Sequence, residues 1–175
     1  MKSILSPAVA LLVVVTGSSL PAAASQPQAP GSMKAQHEEI VQGLSRYATQ
    51  GTPTAPAAEK VLDLMRPHLQ KEEELVFPLL SLLPDVSEGR ITADMSFAIA
   101  AADRLKEERE ALFDQHAEIQ SAVGDLISAG EDANERDLVD FASRVAAHAM
   151  SEVEILEPAA VLVGDAVRQQ LAPSK

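Results

Sequence analysis

Two copies of one pattern hold the reactive side chains of this sequence: HLQKEEELVFP from His68 and HAMSEVEILEP from His148. In each, a glutamate follows the histidine by four residues and a proline follows that glutamate by six. The chain has only four histidines, and the other two, His37 in HEEI and His116 in HAEI, stand 31 and 32 residues ahead of the two copies. Residues four apart on a helix share a face, so His68 with Glu72, and His148 with Glu152, aim at one point in space. A carboxylate buried without a partner is costly, and buried imidazoles need partners too. Metal ions meet all of these demands at once. Four imidazoles and two carboxylates suit iron, manganese or zinc; six ligands are too many for one tetrahedral zinc and natural for two metals that share bridging carboxylates.

Elements that position such a set must be helices. Four helical stretches are expected, at about 33–50, 57–83, 92–129 and 135–170, separated by GTPTAP, PDVSEG and GEDANERD, with Ser32 as the first N-cap and Gly51 and Gly130 as stops. No stretch alternates like a strand, so the class is all-α, and the short connections favour an antiparallel up-down-up-down four-helix bundle. The second helix carries the inward row Val61, Met65, His68, Glu72, Leu75, Leu79, Leu82. The fourth carries Leu138, Phe141, Val145, His148, Glu152, Ile155, Ala159, Leu162. His37 lines up with Ile40, Val41, Leu44 and Tyr47, and His116 with Leu112, Ile119, Val123 and Leu126. Every histidine thus falls on an apolar stripe, one per helix; if a stripe takes two positions in seven, chance does this roughly one time in a hundred or less.

These motifs resemble the hemerythrin family, in its HHE cation-binding branch. RPHLQKEEELVFPLL, its partner HAMSEVEILEP and the single upstream histidines carry the resemblance, over residues 33 to about 165. It implies a four-helix bundle around a non-haem di-iron centre, with His37 and His68 on one iron, His116 and His148 on the other, and Glu72 and Glu152 as bridges. Oxygen-carrying members are similar but have a further histidine one turn after the third-helix ligand, where this chain has Gln120, and their last bridging ligand follows its histidine by five residues rather than four. Those differences set this chain apart from reversible O2 carriers and leave more positions for O2, NO, peroxide or water. Glu73, Glu74 and Glu154 fall off the stripes onto a solvated face, with Glu73 the nearest spare ligand; Tyr47 reads as a core residue.

The remaining features bound the setting. The opening MKSILSPAVALLVVVTGSSLPAAASQP has one early cation, an apolar run to Val15 and an Ala22-Ala23-Ala24 cleavage site, the pattern of a Sec signal peptide cut after Ala24. The apolar run is short of the roughly 20 residues a membrane span needs. Residues 25–32 form a Pro- and Gln-rich linker ahead of a domain at 33–170, and the mature chain is expected in the periplasm or secreted, without membrane insertion. Loss of Lys2 takes the formal charge from −12 to −13, which with few aromatics argues against nucleic acid as a partner. Three readings follow: a binding protein for small oxidants or iron, a di-iron oxidoreductase acting on peroxide, NO or Fe(II), and a metal-free structural bundle.

Overall fold

In the computed structural model, residues 30–173 are described; the expected signal peptide, 1–24, and the linker up to residue 29 lie outside the described residues. Helices make up the fold, and there is no strand among the described residues. Helix α1 spans Gly31–Ala48, α2 Ala55–Leu75, α3 Phe77–Leu80, α4 Leu83–Ser87, α5 Phe97–Asp132, α6 Arg136–Ser151 and α7 Glu157–Leu171. A 3₁₀ turn, Ala93–Ser96, leads into α5, and a π-helical turn, Glu152–Leu156, joins α6 to α7. The chain thus forms a helical bundle in which α1 packs on α2, α2 on α5, and α5 on both α6 and α7.

Local chemistry explains most of the boundaries. Pro30, not Ser32, caps α1, whose far end passes into Gly51 at φ 68°, a left-handed turn that glycine adopts without strain. In the loop that follows, Thr54 donates a hydrogen bond to Glu135 (3.0 Å), tying the start of α2 to the start of α6. The expected second helix does not run unbroken to Leu83. Pro78 has no N–H to give and its ring crowds the carbonyl four residues back, so α2 stops at Leu75 and the chain restarts as α3 and α4. Gly130 does not end α5; the helix runs two residues further, to Asp132, and the chain then turns through Asn134 at φ 57°.

Two apolar compartments fill the bundle. One gathers Ile40, Leu44, Val61, Met65, Val123, Leu126 and Val145 with their neighbours; the other gathers Met33, Leu75, Phe77, Leu79, Leu105, Leu112 and Ala160. On α1 and α5 the histidine lies between residues of one compartment and residues of the other; on α2 and α6 it stands at the end of the run given to the first, next to Leu69 and Ala149. The four histidines therefore form a polar layer across the middle of the core.

The expected stripe on the last helix holds only as far as Glu152. Beyond it Ile155 and Leu162 are 61% and 67% exposed, and the buried positions are Glu157, Ala160, Val163, Gly164 and Val167. A π turn takes in one more residue than an α turn, which rotates everything after it. Pro158 supplies the cause: it has no N–H for the carbonyl four residues back, so the regular ladder cannot pass through this place.

Glycine sets the spacing between α5 and α7. A Cβ on Gly164 would run into the Cβ of Ala102 and the carbonyl oxygen of Ala98, whereas one on Gly124, on the outer face of α5, would meet nothing. Gly164→Ala is expected to cost about 1–3 kcal/mol by overpacking. Gly124→Ala should add roughly 0.5–1 kcal/mol through helix propensity. Urea unfolding of the two variants beside the parent protein measures both.

Candidate metal centre

The polar layer collects side chains from four helical segments: His37 from α1, His68 and Glu72 from α2, His116 from α5, and His148 with Glu152 from α6 and the π turn that follows it. His37, His68, Glu72, His116 and Glu152 are each at most 3% exposed, and His148 is only slightly more open. The apolar stripes that carry these residues are what bury them. No further force is needed to draw a carboxylate inward once the residues on both sides of it are core leucines and valines.

Each carboxylate spans the layer. Glu152 Oε1 lies 3.3 Å from His37 Nε2 and 2.6 Å from His148 Nε2, while its Oε2 lies 3.4 Å from His116 Nε2 and 3.9 Å from His68 Nε2. Glu72 repeats the division: Oε2 faces His37 at 3.7 Å, and Oε1 faces His68 at 3.7 Å and His116 at 4.0 Å. The rings pair accordingly, His68 edge-on to His116 with centroids 4.3 Å apart and His37 edge-on to His148 at 5.2 Å. Two ligand groups result, His68, Glu72, His116 and Glu152 in one, and His37, His148 and Glu152 in the other. The rings that face one another are thus not the expected pairs, His37 with His68 and His116 with His148. The facing rings come from α2 and α5, and from α1 and α6, rather than from each consecutive helix pair.

Protein hydrogen bonding leaves much of this set unused. Buried and without a hydrogen-bond partner are His68 Nε2, His148 Nε2 and both oxygens of Glu72; the close approach of His148 to Glu152 is not aligned as a hydrogen bond. Orphaned groups of this kind are costly in a low-dielectric interior, and cations coordinated by imidazole nitrogen and carboxylate oxygen satisfy them together. The donor set therefore fits a metal pair, with each carboxylate offering one oxygen to each side.

Charge is divided unevenly. Burial, reinforced by the Glu152 charge, pushes the Glu72 carboxyl well above its usual range and favours its protonated form. Burial acts the same way on Glu152, but the close imidazoles of His116, His148, His37 and His68 overcome it and keep that carboxyl ionised and low. Burial also opposes the charged form of His116, yet its contacts with Glu152 and the Leu112 carbonyl raise it above the ordinary imidazole value.

The profile of the family described as hemerythrin HHE cation binding domain matches residues 29–160. The chain belongs to the hemerythrin HHE cation-binding family. No curated protein and no solved structure matches it. As a family member it is a metal-binding helical bundle, and the buried His/Glu cluster is the place in it suited to a cation.

The neighbouring residues fall into place around that cluster. Gln120, where oxygen-carrying members have their additional histidine, donates from Nε2 to the Ala146 carbonyl (2.8 Å) and so is held to the backbone of α6. Glu73 is 45% exposed, with Oε1 3.6 Å from His37 Nδ1. Tyr47 is buried beside Phe141, ring centroids 5.5 Å apart, ten residues or about 15 Å along α1 from His37, too far to join the layer. Sequence reasoning missed Glu157. It is 4% exposed, and its Oε1 reaches within 3.7 Å of His116 Nδ1. Its signal was the residue before the proline, Phe77 in one copy of the motif and Glu157 in the other.

Metal binding must displace a proton from the protonated form of Glu72. Zinc added to the metal-free protein in weak buffer near neutral pH is expected to acidify the solution, and apparent affinity should rise with pH. For the metal-free protein the sign is reversed. A folded-state pKa raised above the unfolded value stabilises at low pH, and that gain is lost as pH climbs through the folded value. At alkaline pH metal-free Glu72→Gln should therefore melt above the metal-free parent, as differential scanning calorimetry across a pH series would measure.

Proposed function

We propose that this chain is an exported di-iron protein that binds small oxidants, O2, NO or peroxide, or handles iron, and that its helices run up-down-up-down around the metal layer. The observation that carries the reading is the pair of bridging carboxylates: each of Glu72 and Glu152 turns one oxygen to the His68 and His116 side and the other to the His37 side. Two iron ions in this layer would supply redox activity and sites for exogenous ligands. His68, His116, Glu72 and Glu152 would hold one, and His37 and His148 with the same carboxylates the other. The metal-free structural reading is weakened by the orphaned polar atoms, which a bundle without a cation would replace to advantage with apolar residues.

What the protein does around the centre is to close it above and below and to leave openings at the sides. Apolar compartments close the layer above and below. On the sides, a cavity of about 320 Å³ between α1 and α6 reaches His148, one of about 290 Å³ between α1 and α2 reaches His37, and one of about 160 Å³ between α5 and α6, lined by Phe113, Ala117, Ala149, Met150 and Val153, reaches His116. That space suits an apolar diatomic. A wider cavity, about 820 Å³ around Arg46, Tyr47 and Arg144, lies at the end of the bundle beside Leu138, away from the histidines. With Gln120 bonded to α6, the centre keeps four imidazoles rather than five, which favours ligand binding or turnover over reversible O2 carriage.

Iron loading should give two ions per chain by elemental analysis. Glu72→Ala should lower affinity for both by on the order of tenfold or more, since a bridge serves both ions. One ion per chain, or two retained at parental affinity in Glu72→Ala, would sink the bridged dinuclear reading. Export is tested separately, by expressing the chain with and without residues 1–24 and assaying each cell fraction. With the leader the protein should appear outside the cytoplasm, and at low iron and high zinc its metal content should include zinc or manganese, because the site fills after translocation.

A further inference from the structure

The two halves of the site are not equal, and the inequality lies behind the histidines rather than between them. Matching the two motif copies sets His37 against His116, His68 against His148, Glu72 against Glu152, Glu73 against Val153 and Phe77 against Glu157. In the first half Phe77, buried in the core, lays its ring on His37 with centroids 4.8 Å apart. The carboxylate nearest His37 Nδ1 is then Glu73, which is 45% exposed, and that buried nitrogen has no hydrogen-bond partner. In the second half the π turn carries the chain one residue further around, so that Glu157 enters the core where Phe77 stands in the first. His116 Nδ1 donates to the Leu112 carbonyl at 2.9 Å, and Glu157 Oε1, buried and without a hydrogen-bond partner of its own, stands 3.7 Å from the same nitrogen.

We infer that Glu157 is a positioning residue for His116, a buried carboxylate behind the ring that makes the His68 and His116 metal position the tighter of the two and the first to fill. The inference rests on the dinuclear reading above and deepens it. Glu157 is no ligand in this arrangement: it faces Nδ1, while Nε2 of the same ring faces Glu152 and the centre. The Leu112 carbonyl takes the Nδ1 proton, and a carboxylate on the same far side of a metal-binding imidazole strengthens that tautomer and makes the other nitrogen a better donor. Glu157 does this from inside the protein, where burial raises its carboxyl and the nearby His116 and His68 oppose that rise, and where its field is little screened, whereas Glu73 stands at the surface, where solvent weakens the same effect on His37. Glu157 also adds a third acidic group to the cation-binding interior, on one side only.

The test uses the full mature chain, zinc as a redox-silent probe, and the variants Glu157→Gln, which keeps the shape, and Glu157→Phe, which installs the residue of the other half. Calorimetric titration of the parent protein should resolve two zinc-binding events. In both variants the tighter event should weaken by about ten- to a hundredfold, with the weaker one unchanged and two ions still bound. A second readout needs no metal. In histidine-labelled, metal-free protein, the ring Nδ1–H resonance assigned to His116 by its loss in His116→Gln should shift in Glu157→Gln, with the helical circular dichroism retained. Unchanged affinities and an unchanged resonance in a variant that still takes two ions overturn the role of Glu157 alone, as does an equal loss in both events. Fewer than two zinc ions in the unmodified protein overturns the dinuclear reading and this inference together.

Discussion

Two carboxylates share one buried, low-dielectric layer, and the rest of the molecule answers to that. Glu72 and Glu152 cannot both be charged there at modest cost unless positive charge joins them. Without a cation the compromise is visible: Glu152 stays ionised among four imidazoles while Glu72 favours its protonated form and leaves both oxygens unbonded. The layer is arranged for a charge that polypeptide alone does not bring. Its placement between two apolar compartments closes it to water above and below.

The approximate repeat explains how one short motif builds a two-sided site. Each half gives a histidine from one helix and a histidine with a glutamate from the next, and the carboxylates reach across the centre to serve both ring pairs. Symmetry fails where the helices fail. Pro78 breaks the first half into short helices, while Pro158 forces a π turn on the second, and the residue delivered five positions after the bridging glutamate is Phe77 in one case and Glu157 in the other.

Much of this was legible in the sequence, and the reasons are physical. His37, His68, His116 and His148 stood out because each interrupts an apolar stripe, a placement that burial makes costly without a purpose. The all-α class and the approximate helices followed from periodicity and from Gly51 and the prolines. Reading stopped where periodicity stopped. A stripe drawn at 3.6 residues per turn put Ile155 and Leu162 inside, because nothing in such a count anticipates an added residue after Glu152, and the same count hid Glu157. Ring pairing was out of reach for another reason: spacing along a helix fixes which face a histidine occupies but not which neighbouring helix it meets.

The division of the core into two compartments has a consequence for cooperativity. Apolar packing ties α1, α2, α5 and α6 together above the layer, and α3, α5 and α7 below it with Met33 of α1 and Leu75 of α2, and α5 runs through both for its 36 residues. Between them lie the side chains that bond one another least well. A bundle of this build has a weak plane at mid-height, where opening of the α3 and α7 end need not unfold the rest, so that it behaves as two foldons joined by α5 and by the ends of α1 and α2. Cations held from both sides of that plane join them into a single cooperative unit, and the ligand set then serves as the rivet of the fold as well as its reactive centre.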